Sequence, residues 1–265
     1  MRVFISADIE GNAFTTVWDE TRKGQADYIA AAKQMTAEVK AACEGAIAAG
    51  ADYILVKDAH GTARNIDPYQ LPKCCEIIRS GNGSPRTMVE GIDESFDAAM
   101  FVGYHSAAGR NGNPLSHTFS TKTTSVMLNG EIASEFLIYS YCCAMYGVPS
   151  VFLSGDKMLI EDSAGIHPCL KTVAVKDGFG AFTRCKQPDY ACDLIREGAE
   201  SALKQDLTNA LCRIPENFVF EVSYKEHAHA AKYANYPGFT QVDAHTIRLE
   251  TSNYEDVLRC IPFVL

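Results

Sequence analysis

Short apolar runs that end in acidic residues or histidine recur through the first 160 residues, and this pattern constrains the fold more than any other feature. Runs of β-branched and aromatic residues are typical of buried strands. Four runs are interpreted as strands: 3–5, 53–56, 98–102 and the run within GVPSVFLSGDK. The polar residues that follow them are, in order, Asp8 and Glu10, Asp58 and His60, His105, and Asp156.

Helical segments separate these strands. The segment ADYIAAAKQMTAEVKAACEGAIAAG is rich in alanine, and Gly50 is predicted to end it. The segment SEFLIYSYCCAMYG could be capped by Ser134 and ended by Gly147. Strands that alternate with helices predict βαβ units with right-handed crossovers. The predicted fold class is therefore α/β, with a mostly parallel sheet and flanking helices. Ligands of such sheets bind outside the carboxyl ends of the strands, so the strand-end residues should converge in one crevice.

The pattern changes beyond about residue 170. KTVAVKD, NFVFEVSY and HTIRLET are predicted strands, PDYACDLIREGAESALKQ is a predicted helix, and another helix closes the chain. This order is typical of a smaller α+β domain. We therefore predict an α/β domain over residues 1–168, which carries the strand-end site, and an α+β domain over residues 169–265, which forms a wall of the pocket.

Composition excludes several classes of protein. The formal net charge of -9, without a basic stretch, argues against a nucleic-acid-binding protein. No apolar run is long enough to span a bilayer, and no signal peptide precedes the first strand. Ten cysteines include the adjacent pairs 74–75 and 142–143, which match neither a secreted disulfide framework nor CxxC spacing. We therefore predict a cytoplasmic protein with reduced thiols.

The strand-end residues are candidate metal ligands. Asp8 and Glu10 should point to the same face of an extended chain, about 7 Å apart. Taken alone, this pair fits a functional site and a turn with solvated acids about equally. His60 and His105 each directly follow a predicted strand. Carboxylates and neutral imidazoles together suit zinc and similar divalent ions. Four such ligands could hold one metal, and a fifth would allow two metals bridged by a carboxylate.

Glu135 is the candidate fifth ligand, and His117 is a candidate for proton transfer. Glu135 lies in the first turn of the predicted helix, where an acid also stabilises the helix dipole, and position alone favours that explanation. His117 lies in the loop NPLSHTF, where a histidine is more often a surface residue. Near a metal-activated water, however, its reference pKa of about 6.5 would suit proton transfer or charge stabilisation.

Other kinds of active site have less support. The GxSxG elbow of serine hydrolases is absent, as are the GxGxxG and GxxxxGK[ST] motifs of nucleotide-binding proteins. None of the cysteines is marked as a nucleophile by its neighbours.

Five motifs resemble a known family. SADIEG, VKDAHG, MVEGIDESFDAAMFVGYHS, LSHTF and GEIASEF occur in the order and spacing of the zinc-dependent D-aminopeptidases of the dipeptide-transport operon type. These DppA-like enzymes share the signature SxDxEG. The resemblance covers roughly the first 160 residues well and the remainder more loosely. The segment 129–134 and the lysine of SGDK depart from the family pattern, which leaves substrate preference open.

The resemblance implies a dinuclear zinc site, with two Zn²⁺ per subunit. Carried over position by position, it implies that Asp8 bridges the ions, that Glu10 and His60 complete one site, and that His105 and Glu135 complete the other.

The resemblance also implies that His117 is the catalytic histidine. The histidine could act as the nucleophile or as a proton shuttle, and we expect attack by a metal-activated water with assistance from His117. The expected reaction is removal of the N-terminal residue, of D configuration, from short peptides. The resemblance further implies a ring-based homo-oligomer, for which a decamer is one candidate size, with active sites that face an internal chamber. The domain 169–265 is a natural place for the subunit contacts.

Two rival functions stay open at this point. The same ligands could serve a metal-dependent amide hydrolase that acts on L-peptides or other small amides, because ligands set the reaction and pocket walls set the substrate. The chain could also be an accessory protein that binds metal or peptide without turnover, in which case His117 would be dispensable.

Overall fold

A computed structural model describes residues 1–167 and 169–265, and two β-sheets organise it. Seven strands form the larger sheet: β1 (Arg2–Ala7), β2 (Tyr53–Asp58), β3 (Cys75–Ile78), β4 (Ala98–Tyr104), β7 (Ser150–Asp156), β8 (Lys171–Phe179) and β9 (Phe182–Cys185). Five strands form the smaller sheet: β5 (Thr123–Leu128), β6 (Glu131–Ile132), β10 (Phe218–Tyr224), β11 (Phe239–Gln241) and β12 (Thr246–Thr251).

Six α-helices accompany the sheets: α1 (Tyr28–Ala48), α2 (Glu135–Met145), α3 (Lys157–Asp162), α4 (Pro188–Lys204), α5 (His227–Tyr233) and α6 (Tyr254–Val264). Gly50 follows α1 with a φ of 101°, a left-handed conformation that glycine adopts without strain. The Ser134 side chain accepts a hydrogen bond from the Leu137 amide and so caps α2. Among the described residues, no helix is both long and apolar enough to cross a membrane.

The strand order of the larger sheet places a crevice beside β1. The order is β3-β2-β1-β4-β7-β8-β9, and every neighbouring pair is parallel except β8 and β9. The chain runs from β1 to β2 and β3 on one side and then returns to β4 on the other side of β1. Strand order therefore reverses at β1, and open α/β sheets bind ligands at such a point. The predicted fold class, a mostly parallel sheet with flanking helices, is confirmed.

The two faces of the larger sheet are covered by different elements. Side chains of β1 alternate between them: Val3 and Ile5 pack in the core that contains α1 and α4, whereas Phe4 packs in the core on the opposite face. That second core contains α2, α6 and the smaller, antiparallel sheet, whose order is β11-β12-β10-β5-β6. Burial on both faces explains why the central strands are almost continuously apolar.

The division into domains 1–168 and 169–265 stays a prediction, and its boundary at residue 168 lies outside the described residues. The two sheets cross that boundary in both directions. β8 and β9 extend the larger sheet, although their residues were expected in the α+β domain. β5 and β6 pair within the smaller sheet, although their residues belong to the first predicted domain.

Candidate metal centre

The residues singled out from the sequence meet at the carboxyl ends of β1, β2 and β4. A cleft of about 410 Å³ is lined there by five of them, Asp8, Glu10, His60, His117 and Glu135. His105 is buried directly behind Glu135, with 3.5 Å between its Nε2 atom and Glu135 Oε2. All six residues therefore lie close together in one site at this edge of the sheet.

Asp8 occupies the centre of this site. Its Oδ1 atom is 3.3 Å from His60 Nδ1, and its Oδ2 atom is 3.4 Å from His105 Nε2. Each carboxylate oxygen thus faces a different histidine. Burial alone would raise the pKa of Asp8, but close contacts and charge interactions with His105 and His60 hold the pKa well below its usual value.

One ring nitrogen of each site histidine is hydrogen-bonded to a backbone carbonyl. His60 Nε2 lies 2.9 Å from Thr21 O, His105 Nδ1 lies 3.0 Å from Ser106 O, and His117 Nδ1 lies 2.8 Å from Leu115 O. Because a carbonyl only accepts, these nitrogens carry the hydrogen atom. In a neutral ring the other nitrogen therefore presents a lone pair toward the carboxylates. This arrangement is typical of metal-bound histidine.

Glu135 connects α2 to the loop that carries His117. Its Oε1 atom accepts a 2.6 Å hydrogen bond from the Phe119 amide and lies 3.9 Å from His117 Nε2. The His117 and His105 rings stack with centroids 4.4 Å apart and an interplanar angle of 5°. Phe119 in this loop has a left-handed backbone conformation, with a φ of 57°. Glu135 therefore occupies the helix position that favours an acid and also faces two site histidines.

The charges in this site need compensation by cations. Three buried carboxylates, those of Asp8, Glu10 and Glu135, lie within it. Burial would lower the pKa values of His60 and His105, but the neighbouring acids raise both well above the usual range. Protons on these rings are one way to balance the acids, and bound metal ions are another.

The donor atoms fit zinc. His60 Nδ1 lies 3.0 Å from Glu10 Oε2, and the other nitrogen–oxygen separations around Asp8 and Glu135 are similar. Two donors bound to one zinc ion at a tetrahedral angle would lie about 3.4 Å apart. Within the described residues, Glu10 Oε2 and His105 Nε2 have no hydrogen-bond partner. Two sets of described residues could each hold a metal ion, because the donor atoms within each set lie within 4.8 Å of one another. The first set is Asp8, Glu10 and His105, and the second is His105, His117 and Glu135.

Asp58 has a different role from the other strand-end acids. Its Oδ2 atom accepts hydrogen bonds from the Asn65 and Ile66 amides, and its Oδ1 atom accepts one from Asn65 Nδ2. The Asn65 side chain in turn donates to His60 O. Asp58 therefore folds the loop that presents His60 and is turned away from the cleft.

Buried polar side chains, from β7, β8 and the loop after His105, hold the loops of the site in place, a role that was not predicted from the sequence. Lys176 donates hydrogen bonds to the backbone oxygens of Glu10 and Thr15. Asn113 Nδ2 lies 3.0 Å from Glu10 O and 3.2 Å from Asp156 Oδ2. A lysine within an apolar strand is the one sequence feature that could have indicated such a contact.

The cleft is also lined by ten residues that were not assigned to the site from the sequence. These residues are Trp18, Thr21, Arg22, Met88 and Phe119, together with Ala59, Gly61, Thr87, Ser120 and Thr121. Trp18 packs edge-on against His117, with ring centroids 5.3 Å apart. An isolated tryptophan in a polar segment was visible in the sequence, but its distance along the chain from His117 concealed the contact.

The fold and the site together define an α/β protein with a carboxylate–histidine centre suited to divalent metal ions. The family model of the peptidase M55 D-aminopeptidases matches residues 1–263. The chain therefore belongs to the D-aminopeptidase family. This membership confirms the predicted resemblance and the predicted enzyme class, a metallo-aminopeptidase that hydrolyses peptide bonds.

A curated protein and a solved structure, both from Bacillus subtilis, are similar to the chain. The D-aminopeptidase of strain 168 is 26% identical over 253 residues, which cover 94% of this chain and 90% of that protein. The fold is similar to that of the solved Zn-dependent D-aminopeptidase DppA, described as a self-compartmentalizing protease. The TM-score is 0.91 at 23% identity, over 100% of this chain and 96% of that chain.

Proposed function

We propose that this protein is a dinuclear zinc aminopeptidase that removes an N-terminal residue, of D configuration, from short peptides. The observation that carries the proposal is the position of Asp8, whose two oxygens face different histidines. Asp8 would bridge two Zn²⁺ ions in this proposal. Glu10 and His60 would complete one site, and His105 and Glu135 would complete the other.

The metal would supply Lewis-acid activation of the scissile carbonyl and of the attacking water. His117 supplies proton transfer. Its Nδ1–H donates to Leu115 O, so Nε2 is free to take a proton from the water and to return it to the departing amine. Stacking on His105 and edge-on packing of Trp18 hold the ring in one orientation. His117 is therefore a base and acid in this proposal rather than a nucleophile.

Peptide hydrolysis with counted metal tests the proposal. Hydrolysis of D-Ala-D-Ala and L-Ala-L-Ala is measured with the purified protein, after chelation and after zinc return, on samples with known zinc content. We expect cleavage of the D peptide that disappears on chelation and returns at about two zinc ions per chain. Cleavage of the L peptide at a similar rate would contradict the assignment of stereochemistry. Two bound zinc ions without cleavage of either peptide would favour another amide substrate or a binding role.

Rapid quenching of the reaction separates the two roles for His117. A covalent acyl group on His117, detected by mass spectrometry, would contradict proton transfer by a free imidazole. We expect His117 to remain unmodified during turnover.

We also propose a cytoplasmic, ring-based homo-oligomer, with ten subunits as the candidate size. The self-compartmentalizing character of DppA supports self-association, and ten free cysteines among the described residues suit a reducing compartment. Sedimentation velocity tests the assembly. A single species near the 28.9 kDa of one chain would contradict it.

A further inference from the structure

The cleft above the site is lined by a guanidinium that forms no ion pair with another described residue. Among the described residues that line it, Arg22 is the one side chain with a permanent positive charge. Arg22 is exposed, and within the described residues its guanidinium has neither an ion pair nor a hydrogen bond to a side chain. Trp18 lies four residues earlier in the same segment, and its ring lies 5.8 Å from Arg22 Cζ.

The segment that carries Arg22 is anchored to the site at two points. The Thr21 carbonyl accepts the hydrogen bond from His60 Nε2, and the Trp18 ring packs against His117. A short 3-10 helix, Trp18–Glu20, joins the two anchors, and the Thr21 amide and hydroxyl both donate to Trp18 O. The backbone before Arg22 is therefore held in a fixed position relative to both histidines.

The separations around Trp18 limit the distance from His117 to Arg22. The ring centroids of His117 and Trp18 lie 5.3 Å apart and Arg22 Cζ lies 5.8 Å from the Trp18 ring, so Arg22 Cζ is at most about 11 Å from the centre of the His117 ring. If the scissile bond lies beside His117, each residue beyond that bond moves the C-terminal carboxylate by at most about 3.6 Å. Because Arg22 is exposed, its side chain has room to turn toward a carboxylate one or two residues beyond the cleaved bond.

We propose that Arg22 binds the free α-carboxylate of di- and tripeptides and so selects short peptides with an unblocked C-terminus. This inference rests on the proposed aminopeptidase function and assigns the part of the substrate beyond the cleaved bond. The guanidinium presents a planar pair of N–H donors that match a carboxylate. The Trp18 ring supports the guanidinium by a cation–π contact.

Paired substrates test the proposal. Values of kcat/KM are measured for D-Ala-D-Ala and for its C-terminal carboxamide with the zinc-loaded protein and three variants. We expect the wild type to prefer the acid by about tenfold. Arg22→Gln should raise KM for the acid and bring the acid-to-amide ratio close to one. Arg22→Lys, which keeps the charge but not the paired donors, should retain part of the preference. Lys23→Gln, a neighbour outside the cleft, should keep all of it.

Equal kcat/KM for acid and amide in the wild type would overturn the proposal, as would an Arg22→Gln variant that retains the preference. Cleavage of neither peptide would count against the proposed function and not against this inference. The two intact peptides would then be titrated while the fluorescence of Trp18, the single tryptophan, is followed. Tighter binding of the acid that is lost in Arg22→Gln would support the role of Arg22, and equal binding would overturn it.

Discussion

The site histidines show how the role of a residue depends on which ring nitrogen is already occupied. His60 presents Nδ1 to the acids because Nε2 is bonded to Thr21 O, whereas His105 presents Nε2 because Nδ1 is bonded to Ser106 O. A carbonyl partner fixes the tautomer as well as the ring orientation. The same arrangement at His117 leaves Nε2 available, at the edge of the cleft rather than behind it.

Replacing His117 should separate metal binding from turnover. We expect His117→Gln to keep the zinc content of the wild type and to lower kcat by about a hundredfold or more, because a positioned acid–base group typically contributes this much. Zinc is counted and D-Ala-D-Ala hydrolysis is measured on the same sample. His227→Gln, which changes an exposed histidine on α5, is the control. Loss of zinc from His117→Gln would instead identify His117 as a ligand.

Glu38 gives a prediction about stability and pH. Burial raises its pKa to about 7, although Gln34 and the Ala13 amide donate hydrogen bonds to it and Lys176 lies nearby. The folded-state pKa of Glu38 exceeds the ordinary value of 4.5. The contribution of Glu38 to the free energy of unfolding is therefore fully present below about pH 4.5 and is lost as the pH rises through 7. This loss is about 3 kcal/mol.

Glu38→Gln should therefore weaken the decline in stability between pH 5 and pH 8. The free energy of unfolding is measured with urea at several pH values on chelated protein. The difference between variant and wild type should grow with pH. Glu197→Gln, at an exposed position on α4, should follow the wild type. A constant difference across this range would show that Glu38 is already ionised at pH 5 in the folded protein.

The sequence allowed site residues to be predicted where a possible metal ligand follows a predicted strand. It did not show that Asp58 and Glu10, which both do so, have different roles. Both are acids at the end of an apolar strand. Their roles differ because Asn65 and Ile66 donate hydrogen bonds that turn the Asp58 carboxylate away from the cleft. That difference depends on the path of the following loop. Arg22 and Trp18 were not predicted as cleft residues for a similar reason, since their proximity to His117 arises from tertiary contacts.

The junction between β7 and α3 carries no candidate metal ligand, but its hydrogen bonds link it to the site. Asp156 caps α3 by accepting a hydrogen bond from the Leu159 amide. The same carboxylate accepts hydrogen bonds from the Ser106 amide and hydroxyl and from Asn113 Nδ2. One side chain thus connects a helix N-terminus to the residue that follows His105.

Asp156→Asn should loosen this junction, because the amide has one acceptor oxygen for four donors and would leave buried N–H groups unpaired. We expect zinc affinity to fall by about tenfold or more, which is typical when residues that support metal ligands are changed. Competition with a chromophoric chelator measures this affinity. Asp243→Asn, which changes an exposed acid that caps a turn, should leave it unaltered. Unchanged affinity in Asp156→Asn would mean that Ser106 does not position His105.

Element types were easier to predict than the sheet to which each strand belongs. The strand at KTVAVKD was expected, but it joins the larger sheet as β8 beside β7. The strand 123–128 pairs with β10, almost a hundred residues further along the chain. Apolar periodicity reports that a strand is buried on one or both faces. It does not report which partner buries it, because that choice depends on the packing of the whole chain.

At the scale of the whole molecule, metal binding and folding stability should be coupled. The site brings together three buried carboxylates, two that follow β1 within the larger sheet and one from α2, which packs on one face of that sheet. Cations bound to the folded state alone stabilise it by mass action, by about 2.7 kcal/mol at a hundredfold excess over Kd. For a chain of this size, such an effect corresponds to a shift in Tm of about 5–10 °C.

Chelation should therefore lower Tm of the wild type by several degrees, and returned zinc should restore it. Asp8→Asn should show almost no response to either treatment, because loss of the proposed bridge removes a ligand from both metal positions. Protein concentration is held constant, since Tm of an oligomer depends on it. A wild-type Tm that stays constant after verified removal of zinc would show that the acids are balanced by protons on His60 and His105 alone. An Asp8→Asn variant that responds as the wild type does would contradict the bridging role and leave each metal with its own separate ligands.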